Sequence, residues 1–430
     1  MNAAKPLKIA LAGLGTVGGG TVQLLAEQAG LLAERTGRRL QLVAVAALAR
    51  PQGLPVDGIP FFTDARQMAK DADYDVLVEL IGGAGGIALD IVKAALERGK
   101  SVVTANKAMI AHHGVALAQL AEKSGAAIGF EASVGGGIPI IKSLREGLAG
   151  NRVGKVMGIL NGTCNYILTT MLEQGRDFDD VLAEAQKLGY AEADPSFDID
   201  GIDTAHKLAI LAALAFSMPV DIKAVKAEGI RHVSALDIRY AEELGYRIKL
   251  LGVASLTDAG VETRVYPAMV PMSFPLAHVG GVFNAIVTEG DFVGRTVLEG
   301  RGAGARPTAS AVVADLVDLA MVRRTPTFGV PVRALTAKPA APADALHSAF
   351  YIRLMVKDEP GVFADIAAAL RDEKVSMEQV IQRGRAPNQT VPVVMTVHDT
   401  GEAALLRAVE RIAALPSIAE PPRLIRIEAL

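Results

Sequence analysis

The chain has 430 residues, 50% of them hydrophobic, and a formal net charge of −3. This length exceeds one ordinary domain, so two or three domains are expected, and the even mixture of charges shows no basic block typical of binding to nucleic acid or a membrane surface. The single cysteine, Cys164, excludes a disulfide framework, and no apolar run reads as a signal peptide or a membrane span, so a cytoplasmic protein is expected.

Residues 1–135 alternate short apolar runs with helical patterns. The runs predicted as strands are LKIALAGLG, LQLVAVAAL, YDVLVELIGG, KSVVTANK and GAAIGFEASV. Nearly continuous apolar sequence is typical of parallel strands covered on both faces. The repeated strand–helix–strand units predict an α/β Rossmann-type domain with a doubly wound sheet, which a further helix within residues 306–325 completes.

The first predicted strand leads into a GxGxxG pattern formed by Gly13, Gly15 and Gly18. The first glycine permits a tight turn, the second lets the backbone approach a pyrophosphate, and the third lets the helix pack on the strand. The helix N-terminus, with Thr16 and Val17, adds N–H groups that attract an anion. The pattern therefore predicts a dinucleotide-binding loop; the alternative is a plain glycine-rich turn.

Two basic residues follow strands of the same sheet. Arg50, in ALARPQG, stands where an acid often binds a ribose 2′-hydroxyl, and its planar guanidinium suits a 2′-phosphate, which favours NADP over NAD. Thr104 and Lys107, in VVTANKAMIA, come at the carboxyl edge of a parallel sheet, where ligands bind. The alternatives are a solvated surface arginine and a lysine that simply caps the next helix.

Residues 136–305 mix helices such as DDVLAEAQKLG with strands such as YRIKLLGVASL, which predicts an α+β domain. The crossover FEASVGGGIPII exposes carbonyl groups, which either bind a monovalent cation or only shape the chain. In GILNGTCNYIL, the turn around Gly162 and Thr163 offers N–H and hydroxyl donors that can bind a carboxylate.

The most unusual stretch is YAEADPSFDIDGIDTAHKLAIL, residues 190–211, in which five carboxylates precede Lys207. Asp203 and Lys207 are four residues apart and share one helical face. The helix after Lys207 is apolar on every side and is predicted to be buried, where a lysine needs a charged partner and the remaining acids can bind an amino group. The alternative is a helix start with ordinary capping acids and a surface ion pair.

A Pro- and Ala-rich segment, residues 336–348, is predicted to be a linker. Residues 349–430 then follow a strand–helix–strand–strand–helix–strand order, which predicts a ferredoxin-like domain. Three other functions stay open on the residues alone: an acylating dehydrogenase that uses Cys164, a metal-assisted hydrolase that uses the acidic stretch, and a non-catalytic amino-acid sensor. A lone cysteine, however, is more often a small buried hydrophobe.

These motifs, in this order, resemble monofunctional homoserine dehydrogenase with a C-terminal ACT domain. The resemblance covers residues 8–320 through GLGTVGGG, TANKAMIA, FEASVGGGIPII, GILNGTCNYIL, the acidic stretch and GRGAGARPTASAVVADL, while VKDEPGVFADIAAAL resembles an ACT domain over 350–430. It implies NAD(P)H-dependent reduction of L-aspartate 4-semialdehyde to L-homoserine, on the route to threonine and methionine. It also implies that residues 136–305 carry catalysis and dimerisation and that residues 349–430 are regulatory. Pairing of the C-terminal domains predicts a homodimer or homotetramer, and the similarity of DEPGV to an ACT ligand loop predicts a threonine effector.

The resemblance also implies roles for individual residues. Lys207 is similar to the family's proton donor, with Asp203 beside it, and Lys107 is similar to a lysine that contacts nicotinamide and substrate and is the other candidate acid–base group. Substrate contacts are implied for Glu192, Asp198, Gly162 and Thr163. A return contact to the cofactor is implied for Gly302 and Gly304. A sodium site of main-chain oxygens is implied for Glu131, Val134, Gly136 and Ile138.

Overall fold

The computed structural model describes residues 4–342, 345–383 and 389–428. The first region alternates strands with helices as its sequence predicts. Its elements are β1 Leu7–Ala12, α1 Thr16–Glu27, α2 Ala29–Thr36, β2 Leu40–Ala46, β3 Phe61–Phe62, α3 Ala65–Asp71, β4 Val76–Glu79, α4 Ile87–Glu97, β5 Ser101–Thr104, α5 Lys107–Ser124 and β6 Ile128–Gly129.

Within the described residues these strands form one parallel sheet in the order β3-β2-β1-β4-β5-β6. The predicted doubly wound α/β fold is therefore confirmed. Two details differ from the prediction: the short β3 was not expected, and the last strand has only two residues. The chain leaves the sheet after Gly129 because the backbone N–H of Glu131 donates to the buried side chain of Asp315 instead of continuing a strand.

The second region combines helices with long antiparallel strands. Its elements are α6 Ile140–Lys142, β7 Val153–Ile159, α7 Gly162–Gln174, α8 Phe178–Lys187, α9 Ser196–Ile199, α10 Ile202–Phe216, β8 Lys226–Ala227, α11 Ala235–Glu243, β9 Tyr246–Thr257, β10 Gly260–Pro271, β11 Phe283–Gly290, β12 Gly294–Arg301 and α12 Ala305–Ala320. The strands follow the order β12-β11-β7-β9-β10, and α10 lies buried against β7, β9 and β10.

Helix α12 returns to the first region, as expected for residues 306–325. It packs along α1 so closely that a Cβ atom added to Gly20 would lie 2.7 Å from the carbonyl oxygen of Ala305. Its apolar residues Val312 and Leu316 join the core beneath β1. This return fixes the second region against the carboxyl edge of the parallel sheet.

The C-terminal region has the predicted ferredoxin-like order. Its elements are β13 His347–Lys357, α13 Val362–Asp372, β14 Met377–Gln382, β15 Thr390–Gly401, α14 Glu402–Ala413 and β16 Arg423–Ile427. Its four strands continue the antiparallel sheet, because β16 pairs in parallel with β10 through Ala268 and Met269. The sequence did not indicate this shared sheet.

The predicted linker is partly bound to the second region. Val261 of β10 donates to the carbonyl of Pro339 at 2.8 Å and accepts from Ala341 at 2.9 Å. The segment is therefore held along β10 there, whereas its residues 343 and 344 lie outside the described residues. Helices long and apolar enough to cross a membrane are absent from the described part of the chain.

Candidate active site

The turn after β1 is shaped by the three predicted glycines. Gly13 has φ +98°, and a Cβ atom added there would lie 2.4 Å from the carbonyl oxygen of Leu80. A Cβ atom on Gly18 would lie 1.8 Å from the carbonyl oxygen of Gly13, so only glycine lets α1 pack on the turn. Gly15 is exposed, and an added Cβ would meet no atom within 4 Å. The turn thus leaves open space for an anion at the start of α1.

Three further predicted cofactor residues lie on the elements next to this turn. Thr16 is the exposed first residue of α1, and Val17 follows it partly buried. Arg50 lies on the loop after β2, where its guanidinium donates to the carbonyls of Val56 and Ile59 at 3.3 Å each. Its own loop therefore holds Arg50 beyond the carboxyl end of β2.

The glycine turn before α12 faces a second glycine turn. A Cβ atom added to Gly136 would lie 2.5 Å from the carbonyl oxygen of Gly302, while Gly304 has φ +118° and begins α12. Asn284 touches Gly302 and is 1% exposed, and both polar atoms of its carboxamide lack a partner among the described residues. This amide is available to a group that enters between the loops.

Strands β4 and β5 end in a buried carboxyl–hydroxyl pair. Glu79 accepts a hydrogen bond of 2.6 Å from the Thr104 hydroxyl, and its other oxygen accepts from the backbone N–H groups of Ile81 and Gly82 at 2.8 and 3.0 Å. Thr104 in turn accepts from the backbone of Asn106 at 3.0 Å. Glu79 therefore fixes the carboxyl ends of two neighbouring strands and the loop between β4 and α4.

Lys107 is the first residue of α5. Asn106 caps this helix by accepting a backbone N–H at 3.0 Å, and its amide donates to the carbonyl of Gly83 at 2.7 Å. The Nζ atom of Lys107 lies 3.0 Å from Oδ1 of Asp203 and 5.8 Å from the ring centroid of Phe197. The predicted edge lysine thus reaches across to the second region.

Helix α10 places the other lysine on the same carboxylate. Nζ of Lys207 donates to Oδ2 of Asp203 at 2.7 Å and to the carbonyl of Leu160 at 2.6 Å. Asp203 is 4% exposed and Lys207 is 9% exposed. Asp203 therefore binds one ammonium group with each oxygen, Lys107 from the first region and Lys207 from the second.

Asn161 connects this ion triad to the acidic stretch. Its Nδ2 donates to Asp198 and to Asp203 at 2.8 Å each, while its Oδ1 caps α7. The hydroxyl of Thr163 donates to Asp198 at 3.2 Å and to the carbonyl of Tyr190 at 2.7 Å. The predicted loop and acidic residues are thus in direct contact.

The two carboxyl groups on Asn161 have opposite pKa shifts. Burial alone would raise the pKa of Asp203, but Lys207, Lys107 and Asn161 outweigh it and hold that pKa far below its ordinary value. Burial raises the pKa of Asp198, and the nearby Asp203 opposes its ionisation, while Asn161 and Lys207 partly compensate. The site thus holds a permanent carboxylate between two lysines and a second carboxyl that gains a proton more readily.

The other acids of the stretch do not join this group. Glu192 is exposed, and its carboxylate has no partner among the described residues; Asp200 pairs instead with Arg231. No group of three or more His, Cys, Asp or Glu in the described residues is placed to hold a metal ion. The alternative of a metal-assisted hydrolase, which expects divalent-metal dependence, therefore finds no metal site among the described residues to support it.

Cys164 does not suit nucleophilic chemistry. It is fully buried, and its Sγ contacts the carbonyl of Asp198 at 3.2 Å. Burial, with Asp198 and Asp203 nearby, raises the pKa of the thiol well above its usual range. Because a reactive cysteine needs an accessible thiolate, the alternative of a Cys164-dependent acylating enzyme is wrong.

The crossover after β6 is a buried loop of carbonyl groups. Of the four predicted sodium ligands, Ile138 already accepts a hydrogen bond from Ile140 at 2.8 Å, and the carbonyls of Glu131, Val134 and Gly136 have no partner among the described residues. Burial, then Asp315, raises the pKa of Glu131 to about 7. Three unpaired carbonyls beside buried carboxyl groups fit a monovalent cation.

Sequence reasoning missed several residues of the site. Asn161 lay in a quoted motif, but only the two residues after it, Gly162 and Thr163, were predicted to bind substrate. Glu79 was recognisable as an acid that ends a buried parallel strand. Asn284, Phe197 and the carbonyl of Leu160 gave no sequence signal, because their roles depend on contacts between distant segments.

Comparison with known proteins covers the whole chain. The family model described as Homoserine dehydrogenase matches residues 139–317, the model of the homoserine dehydrogenase NAD binding domain matches 13–131, and the ACT domain model matches 350–417. Homoserine dehydrogenase of Neisseria gonorrhoeae is 46% identical over 433 residues, which cover 99% of each chain.

Two solved structures extend the comparison. A homoserine dehydrogenase from Thiobacillus denitrificans is similar with a TM-score of 0.93 and 43% identity over 99% of each chain. A mutant of a hyperthermophilic archaeal homoserine dehydrogenase in complex with NADPH has a TM-score of 0.64 and 30% identity, and the match covers 75% of this chain and 99% of that one.

Proposed function

The chain belongs to the homoserine dehydrogenase family, and from this premise we propose that Lys207 exchanges the proton with the substrate oxygen while Asp203 and Lys107 hold it in place. The family is NAD(P)-dependent and interconverts L-homoserine and L-aspartate 4-semialdehyde. The shared carboxylate of Asp203, which joins lysines from two regions of the chain, is the observation that carries the proposal.

Hydrogen-bond capacity supports Lys207 as the proton donor. An ammonium group has three N–H donors, and Lys207 uses two of them on Asp203 and Leu160. One donor remains for the substrate oxygen. Because Asp203 stays ionised and contacts both ammonium groups, it orients the two lysines. Lys207 can then deliver a proton as the alkoxide develops and take it back in the reverse direction.

The glycine turn fits the nicotinamide dinucleotide that the NAD-binding domain implies. Open space at Gly15, together with the close contacts of Gly13 and Gly18, forms a cradle in which the N–H groups of α1 can bind a pyrophosphate. When bound, the nicotinamide supplies hydride transfer. Lys107 follows β5 at the same carboxyl edge, so it can contact nicotinamide and substrate together.

The remaining site residues can hold a zwitterionic substrate by its two ends. Asp198, which Asn161 and Thr163 hold in place, can bind its ammonium group, and the exposed Glu192, which lies outside that cluster, is the second candidate for this contact. The turn at Gly162 and Thr163 can bind its carboxylate through backbone N–H and hydroxyl donors.

Matched lysine variants test the proton donor. Lys207→Met should lower kcat for homoserine oxidation by about 10²- to 10⁴-fold while cofactor affinity stays near wild type, because only the proton transfer is lost. Lys187→Met, on the exposed face of α8, is the control. Near-normal kcat in Lys207→Met together with a large loss in Lys107→Met would transfer the role to Lys107.

We also propose that NADP is the preferred nicotinamide. Arg50 lies on the loop where a 2′-phosphate would lie, and the archaeal relative was solved with NADPH. Arg50→Ala should raise KM for NADP⁺ about tenfold and leave KM for NAD⁺ nearly unchanged, since only one of them carries that phosphate. Equal effects on both would remove the assignment.

Sodium, threonine and self-association complete the proposal. Sodium would bind the carbonyls of the 131–138 loop, and activity that does not depend on sodium concentration would count against this site.

L-Threonine would bind the ACT loop at Asp358–Gly361. The absence of heat in a calorimetric titration with L-threonine would contradict this binding. We expect a dimer or tetramer in a cytoplasmic setting, and light scattering that shows a monomer would contradict the assembly.

A further inference from the structure

A cavity of about 450 Å³ lies between α7, α11, β9 and the segment 272–280 of the second region. Its wall on α7 comes from residues 168–173, in the C-terminal half of that helix, whereas Gly162 and Thr163 of the proposed active site begin the helix. None of its lining residues belongs to the proposed active site or to the C-terminal domain, so chemistry in this cavity is separate from both.

The exposed part of the lining is polar and the buried part is mostly apolar. Glu173, Glu242 and His278 are exposed, and the half-buried Arg247 pairs with Glu242 at 3.0 Å. Besides one lysine, the buried lining residues are all apolar, and they are Leu168, Ile238, Ile248 and Ala277. A molecule that enters past the two acids therefore meets apolar side chains.

The buried lysine of this lining is Lys249, which is 4% exposed and makes no ion pair with any residue that the structure describes. Its Nζ donates to the carbonyl of Val279 at 2.6 Å and to the side-chain oxygen of Asn165 at 3.1 Å. An ammonium group has three N–H donors and a neutral amine has two. The two acceptors therefore satisfy the neutral amine fully and leave its lone pair free.

The positions of both acceptors show that Nζ lies at the cavity. Val279 stands between His278 and Gly280, which both line the cavity, and Asn165 lies one turn before the lining residue Leu168 on α7. A small molecule in the cavity can therefore reach the amine.

The charges around Lys249 favour the neutral amine. Burial, then the nearby guanidinium of Arg247, lowers the pKa of Lys249 to about 8, and Glu173 only partly opposes this shift. At pH 7.5 a group with this pKa is roughly one-quarter neutral, whereas an ordinary lysine is only about 0.1% neutral. Lys249 is thus available as a nucleophile under conditions in which ordinary lysines are protonated.

We propose that Lys249 is a covalent site for small uncharged aldehydes with an apolar substituent, which it binds as an imine. The lone pair of Nζ attacks the carbonyl carbon, and a proton passes from nitrogen to oxygen to give a carbinolamine. The oxygen then leaves as water while the C=N bond forms. Amine and aldehyde thus give imine and water without any change of oxidation state, as desolvated lysines in apolar pockets do elsewhere.

The lining selects this class of aldehyde. Leu168 and Ile238 can pack against an alkyl substituent, whereas Glu173 and Glu242 oppose the entry of an anion. When the imine is protonated it keeps one N–H for the carbonyl of Val279, and Glu173 favours its positive charge as it favours that of the ammonium.

Labelling of the full-length protein tests the site. The protein is incubated at pH 7.5 with 3-methylbutanal and sodium cyanoborohydride, which reduces an imine to a stable secondary amine, and peptide mass spectrometry locates the modified lysines. Lys249 should be labelled at least tenfold faster than the exposed Lys223, because far more of it is neutral. Equal or slower labelling of Lys249 would overturn the proposal.

Variants test the same point on the intact protein. In Lys249→Met the first addition seen by intact mass should disappear, and in Lys223→Met it should remain. Asn165→Asp should slow labelling of Lys249 at least tenfold, because a carboxylate beside Nζ favours the ammonium form. An unchanged first addition in Lys249→Met would place the reactive amine elsewhere and overturn the site.

A charged aldehyde tests the apolar class. With each rate divided by the rate for Nα-acetyl-lysine, 3-methylbutanal should label Lys249 at least tenfold faster than glyoxylate, because the acids of the lining oppose the glyoxylate anion. An equal or faster relative rate for glyoxylate would overturn the proposed aldehyde class. Neither homoserine nor cofactor is present in these reactions, so their outcome is independent of the proposed function.

Discussion

Asp203 shows how one residue can join two regions of a chain at the proposed active site. Its two oxygens bind Lys107 and Lys207, and Asn161 donates to it as well. A buried carboxylate is costly unless it is paired and hydrogen-bonded, and this one is both. The same contacts that stabilise the buried charge also orient the lysines, so stability and the proposed catalytic geometry depend on one side chain.

Lys249 is a buried lysine outside the site, and it makes stability depend on pH. Its Nζ donates to the carbonyl of Val279 at 2.6 Å and to Asn165 at 3.1 Å, and burial lowers its pKa to about 8. The unfolded chain therefore binds more protons than the native protein between pH 8 and the ordinary lysine pKa of 10.5, so the free energy of unfolding rises with pH across that window.

Lys249→Met should remove this rise. From the shift, the difference in unfolding free energy between wild type and variant should change by up to about 3 kcal/mol from pH 8 to pH 10.5. Urea denaturation at several pH values measures it, and Lys223→Met, at an exposed position, should follow wild type. Parallel curves for wild type and Lys249→Met would contradict the buried placement.

At the scale of elements, the β1–α1 turn contains one glycine that folding requires and another that we expect cofactor binding to require. Gly18 is required by packing, since its added Cβ would lie 1.8 Å from a carbonyl oxygen. Gly15 has φ −71° and open space around it, so it tolerates a methyl group in the absence of ligand. The two glycines therefore serve different physical requirements within one motif.

Gly15→Ala should fold normally but bind NADPH about tenfold more weakly or worse, because its methyl group occupies the space for the pyrophosphate. Fluorescence titration with NADPH measures affinity, and circular dichroism measures folding. Gly30→Ala, which also meets no atom within 4 Å, is the matched control. Wild-type affinity in Gly15→Ala would show that the cofactor does not approach this turn.

At the scale of the whole molecule, the ACT domain is built into the catalytic sheet. Strand β16 pairs in parallel with β10. The buried ion pair of Arg353 and Asp237 joins β13 to α11, and the hydroxyl of Tyr351 also donates to Asp237 at 3.0 Å. A domain attached in this way can transmit a change of shape to the substrate site. A flexible linker alone would not provide that coupling.

Arg353→Met should lower the free energy of unfolding by about 3–5 kcal/mol, because it leaves the buried Asp237 without its charged partner. The exposed pair of Arg383 and Glu243 also joins the C-terminal region to α11, and Arg383→Met should cost about 1 kcal/mol or less. Chemical denaturation of the full chain compares them. Equal small effects would indicate that the domain boundary is looser in solution.

Periodicity and local chemistry were sufficient for much of this protein. Apolar runs predicted the parallel sheet and the ferredoxin-like tail, because the periodicity of a strand or helix is set within a short segment. The order of the motifs along the chain indicated the family. The i,i+4 spacing of Asp203 and Lys207 likewise placed both on one face of a buried helix.

Contacts between distant segments were decided only by the tertiary structure. Three sets of contacts join residues far apart in the chain: the approach of Lys107 to Asp203, the two donations from Asn161, and the junction of β10 with β16. No local pattern encodes such contacts, because they depend on how α12 and β16 return to the earlier regions. The sequence alone therefore determined the elements and the chemistry that they carry, whereas packing decided which of those groups meet.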